Sequence, residues 1–427
     1  MRNFLYTFIA TIFATSLFAQ TYVERVFILN EGYYDYFSGD ILTPVSLGAY
    51  DPETEIYTVV DEIENARFAS DIKVYDDHYY VAADKYLIQY NLLTNEIVNS
   101  IEIPGIRKIA VDDNYIVATR GEYLVPFESY IHVYDKNTFE LIFEIENTEL
   151  DYTTEGVLIK DGIAYVAVNN GFNFGSEVGM IAKIDLTTQD LTEIIDLGTD
   201  GKNPDNIMID GDNIFTLNNK DYTGSSVSAY KISTGDITTT NLINISAGCG
   251  TSVYSDGNIY YQELFGTSVS KYEPLTTSFI GEKEFGMSFY GLAFDELNNI
   301  IYTSETDYFS YGKIHIYGLN GTELKVFDAS ISPGNIAFDV RTLSSVNDVN
   351  TTEIKIYPNP ASEFIQLSAR EDIAIIKISD INGKVIDELK DVHSFNYSYS
   401  TERLVAGNYF VSVITENAAT TKLISVL

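Results

Sequence analysis

The sequence predicts an all-β protein, a seven-bladed β-propeller followed by a small β-sandwich. Hairpin patterns recur seven times at nearly constant spacing, and a second hairpin precedes six of them. One strand motif, Ser332–Asp339, begins a further repeat that does not continue. The composition agrees with this fold class, because Tyr (33 residues), Thr, Ile and Val are common and Pro (9 residues) is rare.

The first 19 residues have the pattern of a secretory signal peptide. Arg2 precedes a mostly apolar run from Phe4 to Phe18, and cleavage is expected after Ala19. This run is shorter than the roughly 20 apolar residues that a membrane-spanning helix requires. Gln20 follows the cleavage position and Cys249 is the only cysteine, so the sequence predicts neither a lipoprotein anchor nor an internal disulfide.

The hairpin repeat predicts a propeller over residues 22–340. In each copy a strand reaches an anchor residue, a polar turn of four or five residues follows, and a second alternating strand begins. Successive anchors are separated by 40, 44, 50, 46, 42 and 45 residues, which suits four-stranded propeller blades. The anchors are Tyr50, Tyr90, Tyr134, Ile184, Tyr230, Tyr272 and Tyr317.

The second hairpin explains why one repeat stops early. Its turn carries Asp-Gly or Asp-Asp, as in VLIKDGIAYVAVN, and a strand flanks the turn on each side. The first repeat lacks the opening strand and starts at RVFILNEG. The orphan motif SPGNIAFD is therefore predicted to supply that strand and to complete the blade that the N-terminal strand begins. Such closure leaves no unpaired sheet edge around the ring.

The repeat region resembles the bacterial surface propellers of the YncE-like or YVTN class. The resemblance rests on the strand ends YVAVN (Tyr165–Asn169), YVAAD (Tyr80–Asp84) and FILN (Phe27–Asn30), and on the turns YDPETEI and YDKNTFE. The opening FILNEGYY is similar to secreted propellers of Bacteroidetes, some of which bind cobalamin beside an outer-membrane transporter. Those corrinoid binders are typically lipoproteins, and this chain departs from them at its predicted cleavage position.

A linker over residues 341–353 precedes a predicted Ig-like β-sandwich over residues 354–427. The motifs YPNPASEF, DINGKVI and AGNYFVSV, with a lysine near the end, resemble the type A C-terminal sorting domain of the type IX secretion system. The resemblance implies type IX secretion machinery as a partner, export across the outer membrane, and then release or attachment to surface polysaccharide. The residues that carry the motif are Tyr357, Pro358, Asn359, Pro360, Gly383, Gly407, Tyr409 and Lys422.

Charge and motifs exclude several function classes. The net charge of −36 disfavours nucleic acid and anionic membranes as partners. The sequence contains no HExxH, GxSxG, P-loop or CxxC motif, and we predict no cofactor and no metal. His132 and His315 occupy equivalent places in two repeats, which indicates strand features rather than a convergent metal site. Asp-rich turns such as Asp210–Asn213 are typical of tight turns.

The candidate binding residues lie mainly in loops between the second and third strands of the blades. In a propeller these loops share one face with the loops that lead into the inner strands, and that face surrounds the channel mouth. Functional residues concentrate on such scaffolded loops. The predicted ligand-binding residues are Tyr33, Tyr34, Tyr36, Phe37, Arg120, Tyr123, Asn169, Phe172, Phe174, Asn218, Tyr222, Tyr308 and Phe309.

Two readings of these aromatic rings stay open, ligand binding and packing against neighbouring blades. The sequence favours a non-enzymatic ligand-binding propeller, secreted or held at the outer-membrane surface after removal of the signal peptide. A corrinoid-like molecule or a glycan is the candidate ligand, and an outer-membrane transporter or surface polysaccharide is a candidate partner. The alternatives are an adhesion or protein–protein scaffold, and a propeller lyase or lactonase, which would need histidine or clustered carboxylates at the channel mouth.

Overall fold

A computed structural model describes residues 20–220, 224–244, 251–343, 355–380, 384–415 and 419–427. The described chain divides into two compact units, one over Thr21–Arg341 and one from Thr342 onward. None of the described residues forms a helix that is long and apolar enough to cross a membrane. The predicted signal peptide and Cys249 lie outside the described residues.

The first unit contains seven four-stranded sheets among its described residues. The first blade joins β1 (Gln20–Asn30), β4 (Val45–Asp51), β5 (Ile56–Ile63) and the last strand of the unit, β30 (Pro333–Leu343). Its order is β30-β1-β4-β5, so the two ends of the unit pair within one sheet. A small hairpin, β2 (Tyr33–Asp35) and β3 (Asp40–Thr43), extends the loop between β1 and β4.

The other six blades follow one another along the chain, each with its four strands in sequence order. They are β6–β9 (Ala69–Tyr75, His78–Ala83, Tyr86–Asn91, Ile97–Glu102), β10–β13 (Ile106–Val111, Tyr115–Arg120, Ser129–Asp135, Leu141–Glu146), β14–β17 (Thr154–Lys160, Ile163–Val168, Met180–Asp185, Asp190–Asp196), β18–β21 (Pro204–Asp210, Asn213–Asn218, Ser226–Lys231, Ile237–Asn241), β22–β25 (Ser252–Ser255, Asn258–Gln262, Ser268–Glu273, Ser278–Glu284) and β26–β29 (Leu292–Asp295, Ile300–Glu305, Tyr311–Gly318, Glu323–Ile331). A short 3-10 helix, Thr199–Gly201, precedes β18.

The core of this unit lies between blades. Successive residues of a strand face opposite sides of its sheet, so each blade offers one apolar face to each neighbour. In β7, Tyr79 and Val81 pack with the first blade, whereas Tyr80 and Ala82 pack with the third. Seven buried apolar clusters form in this way, and one of them joins Tyr302 of the seventh blade to Val26 of the first. The predicted fold class, an all-β propeller, is confirmed.

A buried carboxylate reinforces the pairing of the two chain ends. Asp339 on β30 is fully buried and accepts hydrogen bonds from Arg25 on β1 at 3.1 Å and from Arg341 at 2.7 Å. Arg25 also donates to the side chain of Asn95 in the second blade at 3.2 Å. One carboxylate therefore holds the closing strand through two guanidinium groups.

The second unit is a β-sandwich of five described strands. Their bounds are β31 (Lys355–Tyr357), β32 (Phe364–Asp380), β33 (Val385–Ser400), β34 (Gly407–Thr415) and β35 (Ala419–Val426). The long β32 pairs with β33 along both of its halves, and its second half also pairs with β34. The unit has its own buried core, which includes Ile365, Leu367, Ile376, Val411 and Val413.

We expect Asp339→Asn to lower the free energy of unfolding of the propeller by about 3 kcal/mol, because the change leaves two guanidinium groups without their buried counter-charge. Differential scanning calorimetry of the full chain would measure the loss. Asp328→Asn is the matched control, since Asp328 lies exposed on the neighbouring β29, and should change stability by less than about 0.5 kcal/mol. Equal effects of the two substitutions would contradict a closing role for Asp339.

Candidate ligand-binding channel

A polar channel runs along the centre of the propeller. Its volume is about 700 Å³, within the roughly 300–1,000 Å³ range of small-molecule sites. Every inner strand, or the loop that leads into it, contributes to the wall. Representative wall residues in blade order are Asn335, Ser70, Lys108, Glu155, Asn206, Ser252 and Tyr290.

β-Bulges bring polar side chains into this wall. The pairing of the first and second strands shifts register between Ile106 and Ile109 in the third blade, and similar shifts occur in the second, fourth and fifth blades. A bulge interrupts the inward–outward alternation and re-aims side chains. Consecutive residues Arg107 and Lys108 therefore both line the channel. The buried hydroxyl of Thr119 accepts a hydrogen bond from the Lys108 amide at 2.9 Å and satisfies the bulged backbone.

The charge of the channel differs from that of the whole chain. Acidic residues outnumber basic residues by 62 to 26 in the sequence, whereas the two types are nearly equal along the wall. Four basic and five acidic residues line the channel: Arg67, Lys73, Arg107 and Lys108, with Glu31, Asp71, Glu122, Glu155 and Asp205.

Most of these charged side chains form ion pairs within the wall. Arg107 binds Glu155 of the next blade through two hydrogen bonds, at 3.1 and 3.0 Å. Lys73 pairs with Asp71 at 2.9 Å, and Asp71 also accepts the backbone amide of Ile109 at 3.0 Å. The polar wall thus links neighbouring blades while it neutralises its own charge.

Arg67 forms a second ionic centre at the mouth. Its guanidinium binds both oxygens of Asp84 and reaches Glu122 in the loop of the third blade at 3.1 Å. It also lies over the ring of Phe68, 5.2 Å from the ring centroid. The hydrogen bonds that Arg67 donates to the Asp84 carboxylate raise the pKa of Arg67, so this guanidinium stays charged.

Glu31 lies at the junction of the first and seventh blades. Its carboxylate accepts a hydrogen bond from the Tyr290 hydroxyl. Burial raises the pKa of Glu31, and the Tyr290 hydrogen bond and the positive charges of Arg107 and Lys108 act in the opposite direction. Glu31 therefore takes up a proton at a higher pH than an ordinary glutamate does.

The predicted aromatic residues divide into two groups within the described chain. Tyr36, Tyr123 and Phe172 line the channel. The Phe172 ring lies 5.1 Å from the Arg107 guanidinium, a cation–π contact. The predicted aromatics outside the lining are Tyr33, Tyr34, Phe37, Phe174, Tyr308 and Phe309.

The aromatic residues at the rim of the channel contact one another, and some of them are also exposed to solvent. Tyr33 meets Phe309 edge-on at 5.3 Å, which joins the loops of the first and seventh blades. Tyr123 lies 6.0 Å from Phe174, which joins the third and fourth. Phe37 is fully exposed, and Tyr36 is 77% exposed. These ring contacts agree with the packing interpretation, and ligand binding by the rim stays a prediction.

Three predicted polar residues are held inside the blades. Arg120 is buried, donates to the carbonyl oxygens of Pro104 (2.9 Å) and Ser129 (2.7 Å), and stacks on Phe127. Asn169 accepts the backbone amide of Gly171 at 3.0 Å. The buried Asn218 amide bonds the hydroxyl groups of three neighbouring Ser and Thr side chains. These three side chains form hydrogen bonds at strand ends and loops of their own blades. Tyr222 lies outside the described residues.

The two repeat-equivalent histidines are engaged on their own blades. His132 contacts Arg120 at 2.9 Å, and burial together with that positive charge lowers the pKa of His132 to about 3. His315 contacts Glu323 at 2.9 Å and Glu305 at 3.3 Å. The described residues contain no group of three or more His, Cys, Asp or Glu side chains that could hold a metal ion.

Sequence reasoning missed the charged residues of the inner strands. Arg67, Arg107, Lys108, Glu31 and Glu155 were not among the predicted site residues, although each lines the channel. One signal was present, since IRKIAV places two adjacent basic residues in a strongly acidic chain. The strict alternation expected of a strand places only one of two adjacent residues on a given face.

The sorting motif occupies the edge of the sandwich. The side-chain amide of Asn359 donates to the Leu423 carbonyl at 3.0 Å and accepts the Ser425 amide at 2.9 Å, which ties the YPNP segment to β35. The Tyr409 hydroxyl donates to the Val405 carbonyl at 2.7 Å. Tyr357 ends β31, Gly407 begins β34 and Lys422 lies on β35. Gly383 lies outside the described residues.

Residues 355–426 match the family described as the secretion system C-terminal sorting domain. The C-terminal unit is a type IX sorting domain. Such a tail indicates export by the type IX secretion system, interaction with its machinery, and a location at the cell surface or outside the cell. The YncE-like resemblance and a Bacteroidetes source stay predictions.

Among solved structures, the chain is similar to BamB from Moraxella catarrhalis, with 10% identity, coverage of 80% of this chain and 88% of that one, and a TM-score of 0.45. It is also similar to KlHsv2 with loop 6CD replaced by a Gly-Ser linker, with 13% identity, coverage of 75% and 98%, and a TM-score of 0.44. Both similarities are too low to bear on function. No curated protein matches the chain.

We expect Glu31→Gln to stabilise the propeller at neutral pH. A carboxyl group whose pKa is raised in the folded state favours folding at low pH and loses that contribution as the pH rises through the folded value. The neutral amide avoids this loss. At pH 7 the Glu31→Gln protein should be more stable by about 1 kcal/mol, which corresponds to about 2 °C in melting temperature. This difference in stability should vanish near pH 4.

Calorimetry of both proteins across pH 4–8 measures the difference. The control is Glu62→Gln, because Glu62 is exposed on the same blade. A destabilised Glu31→Gln protein at pH 7 would mean that the ionised carboxylate supports the fold.

Proposed function

We propose that this protein is an exported, non-enzymatic binding protein whose propeller channel takes a glycan. The observation that carries the proposal is the channel itself, a polar cavity of about 700 Å³ with wall residues from all seven blades and aromatic rings at its mouth. Sugars combine apolar ring faces with hydroxyl groups, so they suit a site that offers both aromatic surfaces and fixed polar groups.

The paired charges of the wall favour a ligand rich in hydroxyl groups. Arg107 with Glu155 and Lys73 with Asp71 present fixed donors and acceptors without a large net charge. A hydroxyl group can both donate and accept hydrogen bonds, so it can extend such a network. A corrinoid-like ligand would need a broad apolar bed, and charged and amide groups interrupt the apolar residues of this wall.

The ion pairs also favour binding over catalysis. A general acid or base needs a carboxyl group that is free to exchange its proton with a substrate. Asp71 and Glu155 instead hold cationic partners and brace neighbouring blades. We therefore favour ligand binding over a lyase or lactonase activity.

Adhesion to a protein is a second candidate function, because of the exposed rings on the loops. Phe37 is fully exposed and Phe265 is 90% exposed. Aromatic residues are enriched at protein interfaces, where a few of them supply most of the binding energy. A protein partner would cover the rim broadly, whereas a glycan would saturate one channel site.

Tyr36→Ala separates glycan binding from packing. We expect this change to weaken oligosaccharide binding roughly thirtyfold, about 2 kcal/mol, since an aromatic anchor is lost. The melting temperature should change little, because Tyr36 is mostly exposed. A thermal-shift screen of neutral and acidic oligosaccharides and of cobalamin would identify the ligand, and isothermal titration calorimetry would measure the affinity.

Phe265→Ala is the matched control for this experiment, since Phe265 is an exposed loop ring outside the channel lining. It should leave oligosaccharide affinity unchanged. If none of the oligosaccharides binds the unaltered protein, the glycan proposal fails. If Tyr36→Ala instead lowers the melting temperature and leaves affinity intact, the ring is a packing group.

Removal of residues 355–427 should block export while the propeller still folds. The propeller has its own core, and the matching family supplies the sorting signal. In a host with type IX secretion, we expect the truncated protein to remain in the periplasm, as measured by cell fractionation. Asn359→Ala in the full chain should reduce export less, because it removes only the two contacts to β35. Unchanged extracellular yield of the truncated protein would contradict this role.

A further inference from the structure

Among the described residues of the channel wall, Lys108 is the basic residue whose hydrogen-bond partners are neutral. Its ammonium group donates to the Ser70 carbonyl at 2.7 Å and reaches the Asn335 amide oxygen at 3.5 Å. By contrast, Lys73, Arg67 and Arg107 each hold a carboxylate within 3.1 Å. A carbonyl and an amide orient an ammonium group but do not cancel its charge.

The contacts of Lys108 place this charge between blades. Ser70 belongs to the second blade, and Asn335 lies on β30 of the first. The 3.5 Å contact to Asn335 is at the upper limit of a hydrogen bond, so a stronger acceptor can replace it at little cost. One position on the Lys108 ammonium is therefore available to an incoming oxygen.

The positive charge of Lys108 acts on the pKa of Glu31, and the Glu31 carboxylate already accepts a hydrogen bond. Its carboxylate accepts the Tyr290 hydroxyl. Burial raises its pKa, although Arg107 and Lys108 act against that change. The Glu31 carboxylate is attracted to both Arg107 and Lys108. The Glu155 carboxylate forms an ion pair with Arg107.

We propose that Lys108 anchors an anionic group of the ligand, and that the glycan of this channel is an acidic saccharide, one that carries a uronic acid. This inference rests on the proposed function. The carboxylate would accept from the ammonium group in place of Asn335, and the sugar ring would lie towards the aromatic residues of the mouth. The guanidinium of the adjacent Arg107 lies over the Phe172 ring, and both residues line the channel.

The geometry also favours one carboxylate over a multiply charged group. The other cations of the wall are already paired, so a second negative charge would meet Glu31 or Glu155. Like charges within a shared site repel each other. A single carboxylate on a polar ring therefore suits the channel better than a phosphate ester.

The test compares a trisaccharide that carries one galacturonic acid residue with the neutral galactose trisaccharide of the same linkage, by isothermal titration calorimetry at fixed ionic strength. We expect the acidic ligand to bind about tenfold more tightly to the unaltered protein, since a charge-assisted hydrogen bond contributes this much or more. Lys108→Gln should reduce the preference to within about twofold, with little change in neutral trisaccharide binding. Raising the salt concentration should weaken binding of the acidic ligand selectively.

Lys183→Gln is the control for the loss of one positive charge, because Lys183 pairs with Glu193 on the outer part of the fourth blade. It should keep the acidic preference, and the melting temperatures of both variants would exclude unfolding. Equal binding of both trisaccharides, or a preference that survives Lys108→Gln, overturns this inference and leaves the glycan proposal standing. Failure of both trisaccharides to bind overturns the two together.

Discussion

The propeller depends on apolar packing between neighbouring blades. Within one strand, Tyr79 and Tyr80 point to opposite sides and join different interblade clusters. A blade alone would leave one or both of these faces in water, and burial of apolar surface is the main favourable contribution to folding. Only a closed ring covers both faces of every blade. The pairing of β1 with β30 is therefore a requirement of the core, and the buried Asp339 with its two arginines secures that pairing.

Closure also determines where the channel forms and what lines it. The inner strands approach one another closely at the centre, where a side chain at Gly291 would lie 2.1 Å from the Gly334 carbonyl oxygen. Apolar side chains cannot fill this space in every blade, because the bulges direct polar residues inward. Links such as Arg107 with Glu155 then satisfy these residues across blade boundaries. The polar wall is thus part of the same closure that buries the apolar core.

The sequence predicted the fold well because a repeat signals its own architecture. The spacing of anchors such as Tyr50 and Tyr90 predicted four-stranded blades, and the sheet topology contains them. The channel wall was harder to predict, since a bulge such as that before Ile109 changes side-chain direction without a distinctive residue. Strand-end polarity was also ambiguous. Asn218 satisfies neighbouring hydroxyl groups, and the sequence alone does not distinguish that role from ligand contact.

The charge distribution separates the surface of the protein from its centre. A net charge of −36 creates a repulsive field for anions around the whole molecule. At physiological salt this field decays over about 8 Å, so a ligand inside the channel responds mainly to the wall. There the ion pairs cancel most of the charge, and the ammonium of Lys108 faces neutral oxygens. An acidic surface and a local cationic anchor are therefore compatible, because screening isolates the channel from the rest of the chain.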